Sequence, residues 1–191
     1  MTTPHDWLIP LSRTDMTLRE ARASLAAVAD PPSSMPLAIR LVENPEFDLG
    51  GFGFFKGRVT LEQHDWIHIA LGRGLLPIDE AFVIGFTMGS TDRVSTFEAK
   101  LFTWIAGKIY PKGYQFDARM AQVTKDAVAL AYVSDVADLA KVDFAAMADM
   151  TLGEVRTAIG VEPDLLAAYY RIEARRYPDS VPSVRSAAGT R

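Results

Sequence analysis

Gln63-His64-Asp65-Trp66-Ile67-His68 holds two of the three histidines in this 191-residue chain, and Glu80 follows across a turn. On a helix, at about 100° per residue, His64 and His68 lie about 40° apart on one face, with Leu61 and Leu71 flanking them. That face therefore looks inward. Asp65 stands about 60° beyond His68 on the same wheel, so its carboxylate is expected to lean over the same spot. Trp66 and Ile69 lie on the opposite face, which makes the helix apolar nearly all round, and such a helix is central and buried.

The neighbouring residues set the ends of this helix. Thr60-Leu61-Glu62-Gln63 reads as a capping box at its start and Gly72 as its stop. After the turn, Pro77-Ile78-Asp79-Glu80 opens the next helix, with proline early and acids where the helix dipole favours negative charge. Asp79 reads as a first-turn acid. Glu80 precedes Ala81-Phe82-Val83-Ile84-Gly85-Phe86, apolar on every side, so its carboxylate is expected to point inward. Burying two imidazoles and two carboxylates without partners costs several kcal/mol. A divalent cation held by His64, Asp65, His68 and Glu80 offsets that cost most simply, with zinc favoured and manganese, magnesium or iron also suited.

Outside this motif the pattern is predominantly helical, breaking into short pieces after Ser134-Asp135, with Asp143 to Met147 one helical turn or two. Thr17-Leu18-Arg19-Glu20 is a capping box for a helix through Val28, and Ser34-Met35-Pro36 opens a short helix closed by Asn44-Pro45. Ser95-Thr96-Phe97-Glu98 caps a helix running to Tyr110, and Asp117 caps one striped by Met120, Val123, Ala127, Leu130 and Ala131. Thr151-Leu152-Gly153-Glu154 starts a short helix that Gly160 ends. Pro163-Asp164 begins the last helix, with Leu166, Tyr169, Tyr170 and Ile172 as its apolar side. No strand alternation and no internal repeat stand out. The expectation is an all-α, irregular single-domain bundle of about six to eight helices over residues 17–177, with an N-terminal arm over 1–16 and a disordered tail over 178–191.

Composition excludes several functions. With no cysteine, disulfides and thiolate ligands are absent, so a metal must be held by nitrogen and oxygen. A net charge of −4 with scattered basic residues gives no nucleic-acid surface. Neither a signal pattern nor a membrane-length apolar run is present, which predicts a cytoplasmic protein compatible with peripheral membrane contact and with a homodimer. Phe47 to Phe55 alternates glycine with aromatic rings. Phe52, Phe54 and Phe55 are candidates for the wall of an apolar ligand pocket, although a loop pinned to the core by its rings is the favoured reading.

Three metal families are set aside. A zinc protease needs His-Glu-x-x-His, and this chain has aspartate at the position of the glutamate. His-Asp phosphohydrolases need a further upstream histidine, whereas only His5 is left here. Ferritin-like sites need Glu-x-x-His, and neither histidine lies in one.

The spacing His64-Asp65-x-x-His68, eleven residues, Glu80, followed through Ala70-Leu71-Gly72, resembles the signature of the Coq-four family of ubiquinone biosynthesis. The likeness is concentrated in this motif. The family commonly has glycine where this chain has Asp79, and a longer segment before the motif. The resemblance implies a metal on His64, Asp65, His68 and Glu80 beside a cleft for a prenylated quinone precursor. It also implies loss of the ring carboxylate with oxygen introduced at the same carbon, lyase and oxidoreductase chemistry, in company with other biosynthetic proteins. Phe82 and Phe86, with the phenylalanines of the 47–55 loop, are then candidates to contact the prenyl tail, and Arg73 to clamp a substrate carboxylate unless it is a solvated loop cation. Two other readings stand beside this one: a non-catalytic helical lipid- or protein-binding module with a structural metal, and a metal-dependent oxygenase or hydrolase on an unrelated small molecule.

Overall fold

The computed structural model describes residues 6–28, 61–91 and 117–190. Seven α-helices lie there: α1 (Leu18–Ala26), α2 (Leu61–Leu71), α3 (Pro77–Gly89), α4 (Ala118–Val133), α5 (Leu152–Ala158), α6 (Pro163–Arg176) and α7 (Val181–Ala188). No strand occurs among the described residues, so the all-α expectation holds. The expected helix over 34–44, the aromatic loop with Phe52, Phe54 and Phe55, the helix over 95–110, and the residues His5 and Thr60 lie outside the described residues.

Local signals become local structure where the cap residues allow it. Thr17 accepts from the Glu20 amide while Glu20 accepts from the Thr17 amide, and Thr151 and Glu154 do the same for α5. Asp117 caps α4 through the Met120 amide at 2.8 Å. Gly72 ends α2 with φ at +66°, a conformation that side-chain-bearing residues rarely adopt.

The chain does contain a short repeat, contrary to the expectation above. Asp15-Met16-Thr17-Leu18-Arg19-Glu20 recurs as Asp149-Met150-Thr151-Leu152-Gly153-Glu154. The two copies pair antiparallel at Thr17 and Thr151. Each donates its first helical amide to the other: Leu18 N to Met150 O at 2.9 Å, Leu152 N to Met16 O at 2.8 Å. Each helix start thus satisfies an amide that its own helix cannot.

Leu18, Leu25, Ile67, Leu71, Phe82, Phe86, Val155 and Tyr170 are among the buried residues of one apolar core fed by all three described stretches. Full burial of such side chains is worth about 1.5–3 kcal/mol each. Helices α3 and α4 approach closely because Gly85 and Gly89 face Ala127 and Ala131. A β-carbon on Gly85 or Gly89 would stand 2.6 or 2.4 Å from the carbonyl oxygen of Thr124 or Val128. No real β-carbon sits so near, so this seam requires glycine.

The N-terminal arm is part of the core, and the tail expected to be disordered is helical. Trp7, Ile9 and Leu11 of the arm are buried in the core, and the Trp7 indole donates to Ser24 Oγ at 3.1 Å. The tail forms α7, capped by Ser180, with Pro182 in its first turn. Its buried side is Ser183 and Ser186 rather than a hydrophobic stripe, and the Ser12 amide reaches the Gly189 carbonyl at 3.1 Å. Small polar residues that pack closely carry the composition of disorder, which explains the missed helix. On α6 the inward face is Leu166, Tyr169, Tyr170 and Glu173, while Ile172 is 50% exposed. Glu173 is three residues beyond Tyr170 and so shares its face; Ile172 is about 200° away.

Candidate metal centre

The site is assembled by the end of α2, the 72–76 turn and the start of α3. Helix α2 is anchored at both ends. Gln63 donates its amide to the carbonyls of Leu139 and Val142, both at 2.8 Å. At the other end the unpaired carbonyls find buried donors: Arg156 Nε reaches Ala70 O at 3.0 Å and Tyr170 Oη reaches Leu71 O at 2.7 Å. Arg156 also bonds the carbonyls of Leu11 and Arg13, knitting the arm to α2, and burial pulls its pKa down to about 10.

So held, α2 aims both imidazoles at Glu80. His64 Nε2 lies 3.3 Å from Glu80 Oε2, and His68 Nε2 lies 3.4 Å from Oε1. The rings meet edge to face with centroids 4.5 Å apart. His68 is 0% exposed, His64 7% and Glu80 6%. One ligand atom from each residue lies within 4.8 Å of the others, a group able to hold a metal ion. No other such group occurs among the described residues.

Hydrogen bonding leaves the three atoms facing one another without partners. His68 Nδ1 is 2.7 Å from the Gly74 carbonyl, which can only accept, so Nδ1 carries the proton and Nε2 of the neutral ring is a lone pair. His64 Nε2, His68 Nε2 and Glu80 Oε2 are all buried with no hydrogen bond. Charge-assisted bonds between these groups are about 2.7–2.9 Å, shorter than what is observed. Two ligands bound at about 2.0–2.1 Å to a tetrahedral ion stand about 3.3–3.4 Å apart. Each imidazole stands at that spacing from one oxygen of Glu80, His64 from Oε2 and His68 from Oε1, and one ligand atom from each of the three residues closes within 4.8 Å.

The electrostatics also favour a cation here. Burial pushes Glu80 toward the neutral acid, yet His68 and His64 beside it outweigh that and hold its pKa well below the usual carboxylate range. Burial opposes charge on His68, but the Glu80 carboxylate prevails and raises its pKa above the ordinary 6.5. Positive charge between these groups is stabilised, whether a proton or a metal carries it.

Asp65, the expected fourth ligand, lies outside the group of three. One position on from His64, it is turned about 100° away around the helix and meets α1. Its Oδ2 lies 3.1 Å from Arg22 Nη2, and the Arg22 guanidinium sits 5.6 Å from the Trp66 ring. Burial raises the Asp65 pKa despite Arg22.

Arg73 is not a solvated loop cation. It is fully buried and pairs through both terminal nitrogens with Glu173, at 3.0 and 2.5 Å. Its guanidinium is sandwiched 4.1 Å from the rings of both Phe82 and Tyr170. Asp79 is likewise more than a first-turn acid. It is buried, accepts from the Leu76 amide at 3.3 Å, and pairs with Arg185 at 2.9 Å. Phe82 and Phe86 stack on each other with centroids 5.6 Å apart, and Phe82 stacks on Tyr169. Both are buried core residues.

Sequence reasoning did not find the Gly74 carbonyl, Glu173, Arg156 or Arg22. Only Glu173 carried a signal, its place on the Leu166–Tyr170 face. No helix among the described residues is long and apolar enough to cross a membrane. Comparison with family models, with curated proteins and with solved structures yields no match.

Proposed function

We propose that this protein binds a divalent metal ion through His64 Nε2, His68 Nε2 and a Glu80 oxygen, and that the ion keeps a position open for an exogenous ligand. The observation that carries this reading is the convergence of three buried ligand atoms without hydrogen-bond partners. A bound proton satisfies one such pair; an ion satisfies all three. With Asp65 committed to Arg22, three protein ligands leave a four-coordinate ion with a free site, the pattern of catalytic rather than structural zinc. Two imidazoles and a carboxylate suit zinc, and equally iron or manganese with solvent in further positions. A metal there supplies Lewis acidity toward an oxygen of the bound ligand. The chain's own part is to hold His68 in one tautomer through Gly74 and to keep the three ligands dry and oriented.

For the reaction, we extend the Coq-four resemblance to a proposal: metal-assisted decarboxylation and hydroxylation of a prenylated aromatic acid, in which the bond from ring to carboxylate breaks to release carbon dioxide, a carbon–oxygen bond forms at the same ring carbon, and dioxygen is the oxidant and the source of that oxygen. What supports it is the His64-Asp65-x-x-His68-x(11)-Glu80 spacing. Phe82 and Phe86 are packed in the core and Arg73 is paired with Glu173, so this proposal assigns none of the three a contact with the substrate.

Elemental analysis by mass spectrometry of purified wild type beside a His64→Ala, His68→Ala double variant is the test. Near-stoichiometric zinc, manganese or iron in the wild type alone is the expected result, followed by trials of prenylated aromatic acids for release of carbon dioxide. If neither protein retains any of these ions after loading and desalting, the metal centre is refuted.

A further inference from the structure

The 72–76 turn that supplies the Gly74 carbonyl is enclosed by side chains from far along the chain. Arg73 reaches Glu173 on α6, and Asp79, just past the turn, pairs with Arg185 on α7 at 2.9 Å and faces Arg73 at 3.6 Å. Gly74 lies directly against the Arg185 guanidinium. A β-carbon on Gly74 would stand 2.0 Å from Arg185 Nη2 and 2.8 Å from the Trp7 carbonyl oxygen. The carbonyl of that same glycine accepts from His68 Nδ1 at 2.7 Å. One side chain of the C-terminal helix therefore packs on the residue whose carbonyl selects the tautomer of His68.

We infer that Arg185 is a positioning residue for His68: by holding Gly74 and Asp79 it keeps the Gly74 carbonyl on Nδ1 and leaves Nε2 free to ligate. A neutral imidazole has one ring proton, and the nitrogen that keeps it cannot bind a metal. If the turn relaxes, His68 can place its proton on Nε2, toward the Glu80 carboxylate, and that nitrogen is then blocked. Docking of α7 and metal affinity are linked, and linkage is reciprocal, so a bound ion also tightens α7. The metal part rests on the centre proposed above; the tautomer part does not.

Three proteins test it beside wild type: Arg185→Ala, Arg185→Lys and, as a control of ordinary destabilisation, Gly89→Ala on the α3–α4 seam. Nitrogen-15 shifts of the His68 ring are read in metal-free protein above the histidine titration range. Zinc affinity is read by competition with a chromophoric chelator, and amide exchange of residues 181–188 with and without zinc. Arg185→Ala is expected to mix the two His68 tautomers and weaken zinc binding about 10- to 100-fold, the usual cost of losing an outer partner of a metal ligand. Arg185→Lys should fall between, Gly89→Ala should lower Tm with neither change, and zinc should slow exchange in 181–188 of the wild type. The inference is overturned if Arg185→Ala behaves as Gly89→Ala does, losing Tm with tautomer and affinity intact. Should Arg185→Ala not fold, Arg185→Lys and the wild-type exchange experiment decide, unchanged tautomer and unchanged exchange counting against it. Should wild type bind no zinc, the metal centre falls, while the His68 ring shifts still decide the role of Arg185.

Discussion

Two buried polar groups flank the 72–76 turn, and they differ in what faces what. In one, Arg73 and Arg185 meet Glu173 and Asp79, so each charge has an opposite charge beside it. In the other, the lone pair of His68 and the Nε2 of His64 meet a carboxylate, with no hydrogen bond among them. The first group balances itself and serves the fold. The second is short of a positive charge, which a proton on His68 or a bound cation can supply. Burial alone does not separate the two, because Arg73, Asp79 and Glu173 are as inaccessible as His68.

Breaking the self-balanced group should have the largest effect. Glu173→Ala strands the Arg73 guanidinium between two rings and should cost about 3–5 kcal/mol in denaturant unfolding, the range for orphaning one partner of a buried pair. A loss below about 1 kcal/mol would mean that water reaches Arg73 and that the pair is not buried as described.

The pH response should distinguish the other group. His68 has a pKa raised in the folded protein above its ordinary 6.5. Its contribution to stability is therefore complete below pH 6.5 and is lost as pH rises through the raised value. Metal-free protein should weaken across that window. Zinc-loaded protein should not, since the ion binds the neutral ring, and zinc affinity should instead fall as pH drops through the same window. At a zinc concentration about 100 times Kd the wild type should gain about 2.7 kcal/mol. Unfolding curves across pH, with and without zinc, measure both; identical curves would sink the metal reading of His68.

The smallest effect is expected at Asp65, next to His64 on α2 and paired with Arg22. Asp65→Asn removes a partly exposed pair with Arg22, worth about 1 kcal/mol or less, and should leave zinc affinity within about threefold. A hundredfold loss of zinc would return Asp65 to the ligand set.

How legible the site was depended on the range of the interactions involved. His64 and His68 four residues apart, Gly72 as the helix stop and Pro77 ahead of Glu80 are all local signals, and the three ligands meet as their spacing suggests. For Asp65 a helical wheel says how far around the helix the side chain points, not which neighbour stands there, and that neighbour is Arg22 on α1. Arg73 looked like a loop cation because its partner, Glu173, is a hundred positions away. The hexapeptide repeat was visible as letters, but its meaning came from the reciprocal amide bonds between its copies.

By itself the sequence determined the helical class, most helix ends and the inward face of α2, because caps, proline, positive-φ glycine and 3.6-residue periodicity act within a turn or two of the chain. Only the tertiary structure decided which buried charges were already balanced, which nitrogen of His68 carries the proton, and that the tail folds into α7 against Gly74. Those outcomes depend on which groups meet across the fold once water is excluded, where an unpaired charge or lone pair is costly and a distant partner sets the chemistry.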